Sequence, residues 1–341
     1  RETFARQVIA TIQRVADGYW NLLEAQSQLK VAEQSLELAR ELHERNRIQV
    51  EVGTLAPLEL VQSEAGIATR EEGIIRAEAA VRAAEDTLRQ LLNLERGELW
   101  TLPIAADRES ARAQISFDLA EAIATAQVQR PELSAQRLAL RNLQIDAEYF
   151  HDQRLPQLDL QVRYGFNGLG GDVTERDLFT GEILNRAPGE YGDAIDQVAD
   201  GDFAGWRAGL VFAYPLQNRA AKARSAVADL AVERGEAVLR DLELVVETEV
   251  RRAARDLDTA AKATASAEVS VRLAERNLDA EQKRYENGMS TSFQVLEIQE
   301  DLTAALSRQV TSRAAYQRAL VEYYRAIGSL PEESGVVIVA E

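Results

Sequence analysis

Side chains that ligate metals or act as nucleophiles are scarce in this sequence. It has no cysteine, and its two histidines, His43 and His151, lie far apart along the chain. Disulfides, thiolate zinc sites and a cysteine nucleophile are therefore excluded, and a metal site built on imidazole is disfavoured. We predict no metal site and no cofactor.

Carboxylates are the one abundant reactive group. Asp and Glu number 56 against 39 Lys and Arg, which gives a net charge of −17. They recur as charges on helix faces, and nothing groups two of them into a general acid and base. The acidic residues between positions 172 and 202 lack EF-hand spacing. We therefore predict no catalytic residues and no enzyme, and the acidic balance excludes nucleic acid as a partner.

The first element that positions these side chains is a long helical hairpin over residues 1–94. Apolar residues recur at three- and four-residue steps as far as Val52, which is the period of an amphipathic helix. Gly53 to Pro57 interrupts the pattern, because Gly permits a left-handed closing turn and Pro suits the start of the next helix. So short a connection predicts that the two helices pack antiparallel.

The middle of the chain changes period. Residues 95–130 form an irregular connector, and residues 131–156 are predicted as a helix that leads into strands. From Gln157 apolar and polar residues alternate, which indicates a strand with one wet face. Residues 157–216 therefore form a strand pair around the glycine-rich segment 167–204, which we expect to be a solvated loop without regular structure.

The last third repeats the first. Residues 217–329 form a second long helical hairpin with its tip at Gly288, followed by a tail over 330–341. Gly53 and Gly288 lie 235 residues apart, and the same offset pairs Val15 with Val250 and Leu22 with Leu257. This register predicts an internal duplication. The first copy then lacks its strand pair, which we expect before Arg1.

The strands limit the choice of architecture. Two strands cannot close a barrel, and open strand edges are not tolerated in lipid, so several chains would have to share one barrel. An ordinary two-stranded ribbon on a soluble domain is the alternative. The helices could likewise wall a water-filled tube or form a solid coiled-coil rod. No run of apolar residues is long enough for a transmembrane helix.

Several segments in this order resemble the TolC-like outer-membrane efflux protein family, the outer-membrane channel components of tripartite efflux or type I secretion systems. They are the two tips, one helix start and the prolines beside the strands: Val52-Gly53-Thr54-Leu55-Ala56-Pro57-Leu58-Glu59-Leu60, Arg284-Tyr285-Glu286-Asn287-Gly288-Met289-Ser290-Thr291-Ser292-Phe293-Gln294-Val295-Leu296, Arg130-Pro131-Glu132-Leu133, Leu155-Pro156 and Pro215-Leu216. The resemblance covers almost the whole chain.

The resemblance implies a mainly α fold with long antiparallel helical hairpins as an α-barrel tunnel, plus a two-stranded membrane β-barrel segment. Family members are homotrimers in which each protomer gives four strands to a twelve-stranded barrel. They lie in the outer membrane of Gram-negative cells, span into the periplasm and work with a periplasmic adaptor (membrane fusion) protein and an inner-membrane pump. The implied function is a gated conduit for export of drugs, small molecules or proteins.

The family's site residues carry over position by position. The adaptor-contact tips correspond to Val52, Gly53, Thr54 and Gly288. The acidic residues of the periplasmic aperture correspond to Gln294 and Glu297, of which only the second is acidic. The latch that holds the tunnel shut corresponds to a hydrogen bond between Tyr285 and Glu59. The basic partner of that latch is replaced by Ser290.

Two other functions fit parts of the pattern. A structural coiled-coil scaffold would use the same helical periodicity with no channel. A periplasmic adaptor-like rod also has a long hairpin, but it would need one hairpin with flanking modules, whereas this sequence has two.

Overall fold

A computed structural model of the protein describes residues 2–95, 97–106 and 118–337. The described chain is mainly helical, as predicted. The elements in chain order are α1 (Glu2–Glu51), α2 (Pro57–Leu91), a 3₁₀ turn (Glu98–Trp100), α3 (Leu119–Gln129), α4 (Pro131–Asp152), β1 (Gln157–Phe166), β2 (Val173–Arg176), β3 (Ile183–Ala187), α5 (Tyr191–Asp200), β4 (Ala204–Ala213), α6 (Arg219–Glu286), α7 (Ser292–Ile327) and α8 (Leu330–Glu333). They fall into two compact units, one of Arg1–Ala139 with Glu236–Glu341 and one of Leu140–Gly235.

The first unit contains both hairpin tips. α1 and α2 pack against each other, and α7 packs against both of them. α2 ends three residues before the predicted Leu94, because Asn93 adopts a left-handed backbone conformation with φ of 50° that a helix cannot continue. Part of the predicted connector and the end of the predicted tail lie outside the described residues.

The two tips close their helices in the same way. Gly53 donates its N–H to Val50 and Thr54 to Gln49, while Gly288 donates to Tyr285 and Met289 to Arg284. Both glycines have left-handed φ, 79° and 70°. This is the paired bonding of a Schellman cap. Its recurrence at the same 235-residue offset agrees with an internal duplication.

The core of this unit lies where α3, α4, α6 and α7 meet. The buried residues of this cluster are mostly small or branched: Ala122, Ala126, Leu133, Val246, Val250, Ala253, Ala254, Leu257, Tyr323 and Ala326. Alanines at these positions let the helix axes approach closely, and the larger side chains fill the spaces between them.

The side chain of Arg130 is a buried cation within this core. Its side chain is 6 % exposed and donates to Glu249 Oε2 at 2.9 Å, to Glu132 Oε2 at 3.1 Å and to the carbonyl of Ala326 at 3.2 Å. The Arg130-Pro131 segment thus ties the junction of α3 and α4 to α6 and to the end of α7.

Arg130→Ala is expected to lower the free energy of unfolding by about 1 to 3 kcal/mol, because the buried carbonyl of Ala326 loses its donor and the partly exposed carboxylates of Glu132 and Glu249 lose their cation. The measurement is the thermal unfolding midpoint of the purified protein by circular dichroism. Arg137→Ala is the matched control, since Arg137 pairs with Glu243 at 3.3 Å but is 43 % exposed, and such pairs contribute about 0 to 1 kcal/mol. Equal shifts for both variants would contradict a structural role for the buried cation.

The second unit contains two antiparallel strand pairs. β1 pairs with β4 from Gln157 opposite Ala213 to Phe166 opposite Ala204. β2 and β3 form a shorter hairpin.

The prediction of an unstructured loop over 167–204 is wrong, because β2, β3 and α5 lie within it. Local hydrogen bonds explain the order. Asp177 Oδ1 accepts from the N–H groups of Phe179 and Thr180, both at 2.8 Å, and closes the β2–β3 turn. α5 begins at a capping box of Glu190 and Asp193. The density of glycine in this segment hid these turn and cap signals.

Candidate functional site

The tips of the two hairpins are joined by a buried hydrogen bond. Tyr285, near the end of α6, donates its hydroxyl proton to Asn46 Oδ1 on α1 at 2.6 Å, and Gln49 Oε1 lies 3.1 Å from the same hydroxyl. Tyr285 is 5 % exposed and Asn46 is fully buried. The phenol ring packs in a small apolar cluster that includes Leu42 and Val295.

A second, partly buried contact joins the starts of α2 and α7. Ser292 is the first residue of α7 and is fully buried. Its hydroxyl donates to Glu59 Oε2 in the first turn of α2. Residues Asn46, Gln49, Glu59, Tyr285 and Ser292 are called the tip cluster below.

The predicted hydrogen bond between Tyr285 and Glu59 is therefore not the one formed in this chain. The phenol has a single proton, which goes to Asn46, and Glu59 accepts from Ser292. Glu59 still acts on the tyrosine through space, since burial and the nearby Glu59 carboxylate both raise the pKa of Tyr285. The phenol therefore keeps its proton, and remains a donor, to higher pH than an exposed tyrosine would.

Asn46, Gln49 and Ser292 were not identified from the sequence. One signal could have found Asn46. It continues the buried stripe of α1 through Leu36, Ala39 and Leu42, and a polar residue on an apolar stripe needs a buried partner. Its partner, Tyr285, could not be identified from the sequence, because it lies 239 residues away.

An exposed ion pair lies beside the tip cluster. Arg45 Nη1 is 3.0 Å from Glu286 Oε1, and both side chains are about half exposed. Such a pair contributes little to stability. The buried hydrogen bonds are therefore the stronger connection between the tips.

Gln294 and Glu297, the predicted aperture residues, are both exposed on the first turns of α7. Gln294 has a local role: its N–H donates to Thr291 Oγ1, and Thr291 N–H donates to Gln294 Oε1, each at 3.3 Å. This capping box starts α7, and it accounts for an amide side chain at this position. Glu297 lies almost one turn further along the helix.

The outer surface of both tips is open. Val52 is 68 % exposed and Met289 is 64 % exposed. A Cβ added to Gly53 or Gly288 would meet nothing within 4 Å. Exposed apolar side chains also follow each tip, at Leu58 and Phe293. Exposed apolar side chains at a hairpin tip favour contact with another protein.

The β1–β4 pair has two chemically different faces. Its register places Leu158 opposite Phe212, Leu160 opposite Leu210, Val162 opposite Ala208 and Tyr164 opposite Trp206. All of these large side chains are well exposed. Asp159, Gln161, Arg163 and Arg207 occupy the other face. An exposed apolar sheet face of this kind is suited to contact with lipid.

None of the described helices has the length and apolar character needed to cross a bilayer. Within the same described residues, no group of three or more His, Asp or Glu side chains is arranged to hold a metal ion.

Two long hairpins joined at their tips, together with a strand pair that is apolar on one face, define the class of outer-membrane channel proteins with helical tunnels. The model of the outer membrane efflux protein family matches residues 1–94 and 122–329, and the chain belongs to this family. This match confirms the resemblance found in the sequence. The function of the family is efflux, and its place is the outer membrane. No curated protein sequence matches the chain.

Solved structures share the fold. The outer-membrane channel OprN matches with a TM-score of 0.71 at 18 % identity, over 96 % of this chain and 68 % of that one. The Campylobacter jejuni outer membrane channel CmeC matches with a TM-score of 0.68 at 17 % identity, over 96 % and 64 %. The Vibrio cholerae outer membrane protein VceC matches with a TM-score of 0.70 at 14 % identity, over 96 % and 72 %. The chain thus spans about two thirds of the length of these structures.

Proposed function

We propose that the chain is one subunit of a homotrimeric, gated outer-membrane conduit. It exports drugs, small molecules or proteins, delivered from the periplasm or by an inner-membrane pump, to the cell exterior. The chain supplies a passive duct, and the energy for transport comes from the pump.

The observation that carries this proposal is the β1–β4 strand pair. One of its faces is apolar and exposed, and among the described strands neither outer edge has a partner. Unpaired edges are not tolerated in lipid. Strands from other copies of the chain would pair these edges, close one barrel and turn the apolar faces toward the lipid.

The α7 start supplies the aperture in this proposal. Three copies of Glu297 around a threefold axis would produce a negative potential that attracts cations. Gln294 adds no charge to that ring, and its side chain is engaged in capping α7. The aperture of this protein therefore has one acidic ring.

The tip cluster supplies the latch. Its buried hydrogen bonds hold the α6–α7 tip against the α1–α2 tip, which is the closed arrangement. Opening separates the two tips and exposes Tyr285, Asn46, Glu59 and Ser292 to water, where they can find other partners.

The exposed outer surfaces of the tips supply the contact for a periplasmic adaptor. Val52, Gly53, Thr54 and Gly288 form the centre of this surface. The adaptor in turn connects the conduit to an inner-membrane pump.

The test is the conductance of the purified full-length protein in planar lipid bilayers, with its mass measured by light scattering on the same sample. We expect stable trimers with discrete conductance steps that prefer cations. Glu297→Gln should reduce that preference and weaken block by La³⁺ at least tenfold, because a neutral ring binds a trivalent cation poorly.

Glu64→Gln is the control for the aperture variant, since Glu64 is an exposed carboxylate on α2, the helix that packs beside α7. A preparation that remains monomeric and never inserts into the bilayer would favour the scaffold function and exclude the conduit.

A further inference from the structure

The polar face of the β1–β4 pair contains a like-charge contact. The register places Arg163 directly opposite Arg207. Residues directly opposite in an antiparallel pair have Cβ atoms about 4.5 to 5.5 Å apart, and like charges there are destabilising. Both side chains are exposed, and within the described part of the chain neither guanidinium has an ion-pair partner.

The nearest acid on the same face cannot neutralise the pair. Asp159 precedes Arg163 by four residues on β1, which places the two Cα atoms about 13 Å apart at 3.3 Å per residue. That separation exceeds the Debye length at physiological salt.

Glycines surround the arginine pair on the same face. Gly165 lies opposite Gly205 on one side, and Gln161 lies opposite Gly209 on the other. A Cβ added at Gly165 or Gly209 would meet nothing within 4 Å, and at Gly205 it would meet one backbone oxygen at 4.0 Å. Glycine weakens the interior of a strand and often marks a place where a ligand approaches the backbone closely.

Two departures from good strand chemistry thus coincide. The sequence places like charges opposite each other and removes the side chains beside them, and both choices cost stability. Together they leave two guanidinium groups beside open backbone at the three glycines, which is called the floor below. This is the chemistry of a site for an oxyanion, since guanidinium groups bind phosphate and carboxylate with paired hydrogen bonds.

We propose that Arg163 and Arg207, with Gly165, Gly205 and Gly209 as the floor, form an anion-binding site on the inner wall of the barrel. The site takes phosphate or carboxylate groups from solution. It rests on the proposed function, because only a closed barrel turns the polar face toward a water-filled interior. Three subunits then place six arginines in one ring.

The bound group comes from the aqueous interior and not from a lipid headgroup. The lipid-facing side of the strand pair is the opposite one, where Tyr164 and Trp206 lie. Cationic Arg and Lys rings are used by pores that pass anions. The basic ring would hold the anionic groups of exported molecules as they pass through the barrel.

The experiment is block of the full-length channel in planar bilayers by tripolyphosphate, added in turn to each side. We expect tripolyphosphate to block the wild-type channel. The double variant Arg163→Gln with Arg207→Gln should need at least tenfold more tripolyphosphate for half block.

Two further double variants complete the design. Arg176→Gln with Arg186→Gln removes the same charge from β2 and β3 and should leave the block unchanged. Arg163→Lys with Arg207→Lys keeps the charge but loses the paired hydrogen bonds, so its block should lie between those of the wild type and the glutamine variant.

The failures of the two proposals are distinguishable. Channels that form normally but show the same tripolyphosphate block with and without Arg163 and Arg207 would overturn the anion site and leave the conduit standing. Equal loss of block in the β2 and β3 control would also overturn the site, because the block would then depend on the total positive charge and not on Arg163 and Arg207. A protein that forms no channel would overturn both.

Discussion

Gly53→Arg is expected to abolish efflux in cells while the amount of assembled protein in the outer membrane stays the same. Gly53 lies at the exposed end of the first hairpin, and an added Cβ would meet nothing within 4 Å. The substitution therefore causes no clash inside the subunit. Its cost is the left-handed backbone at φ of 79°, about 1 to 2 kcal/mol for a residue with a side chain. A long charged side chain would, however, obstruct an adaptor docked on this surface.

Gly53→Ala is the matched control, because alanine has the same backbone strain without the bulk or the charge. The measurement is accumulation of a fluorescent efflux substrate in cells that lack the natural channel, alongside the amount of protein in outer-membrane fractions. Gly53→Ala should retain most of the efflux. If Gly53→Arg exported as well as Gly53→Ala, the first tip could not be the adaptor contact.

The hairpins and their tips were predictable from the sequence because their signals are local. A glycine between two long amphipathic patterns permits a left-handed closing turn, and both tips have one. The next helix starts at Pro57 after the first tip and at the capping box of Thr291 and Gln294 after the second. The β1–β4 pair was predictable for the same reason, since alternation of apolar and polar residues from Gln157 requires no knowledge of distant residues.

The hydrogen bonds of the tip cluster could not be predicted in this way. Asn46 and Tyr285 lie on helices whose relative rotation is set by the packing of Leu42, Leu278 and Val295. A rotation of one helix by a single position would have placed a different polar residue against the phenol. The family resemblance pointed to Tyr285 and Glu59, but the hydrogen-bond partner of each depends on side chains that the motif does not include.

Tyr285→Phe is expected to raise the open fraction of the channel by about a hundredfold at most. A buried neutral hydrogen bond contributes about 1 kcal/mol, and three subunits that open together would lose about 3 kcal/mol in total. The ring remains, so the apolar cluster around it keeps its packing. The thermal unfolding midpoint should therefore change little, and single-channel recordings of open probability provide the measurement.

The pH dependence of this latch follows from the raised pKa of Tyr285. A group with a raised pKa in the folded state keeps its proton to higher pH than in water, so the phenol still donates to Asn46 above its usual titration range. Titration of Tyr285 should consequently leave the open fraction of the wild type unchanged between about pH 6 and 9.

A double-mutant cycle with Asn46→Ala separates the latch from a general loosening of the tips. Asn46 is the acceptor of the phenol proton, so removal of either partner should raise the open fraction, and removal of both should add little more. Glu59→Gln should have a smaller effect than Glu59→Ala, because an amide oxygen can still accept from Ser292. Additive effects of Tyr285→Phe and Asn46→Ala would show that the two side chains influence opening independently, and the hydrogen bond between them would then not be the latch.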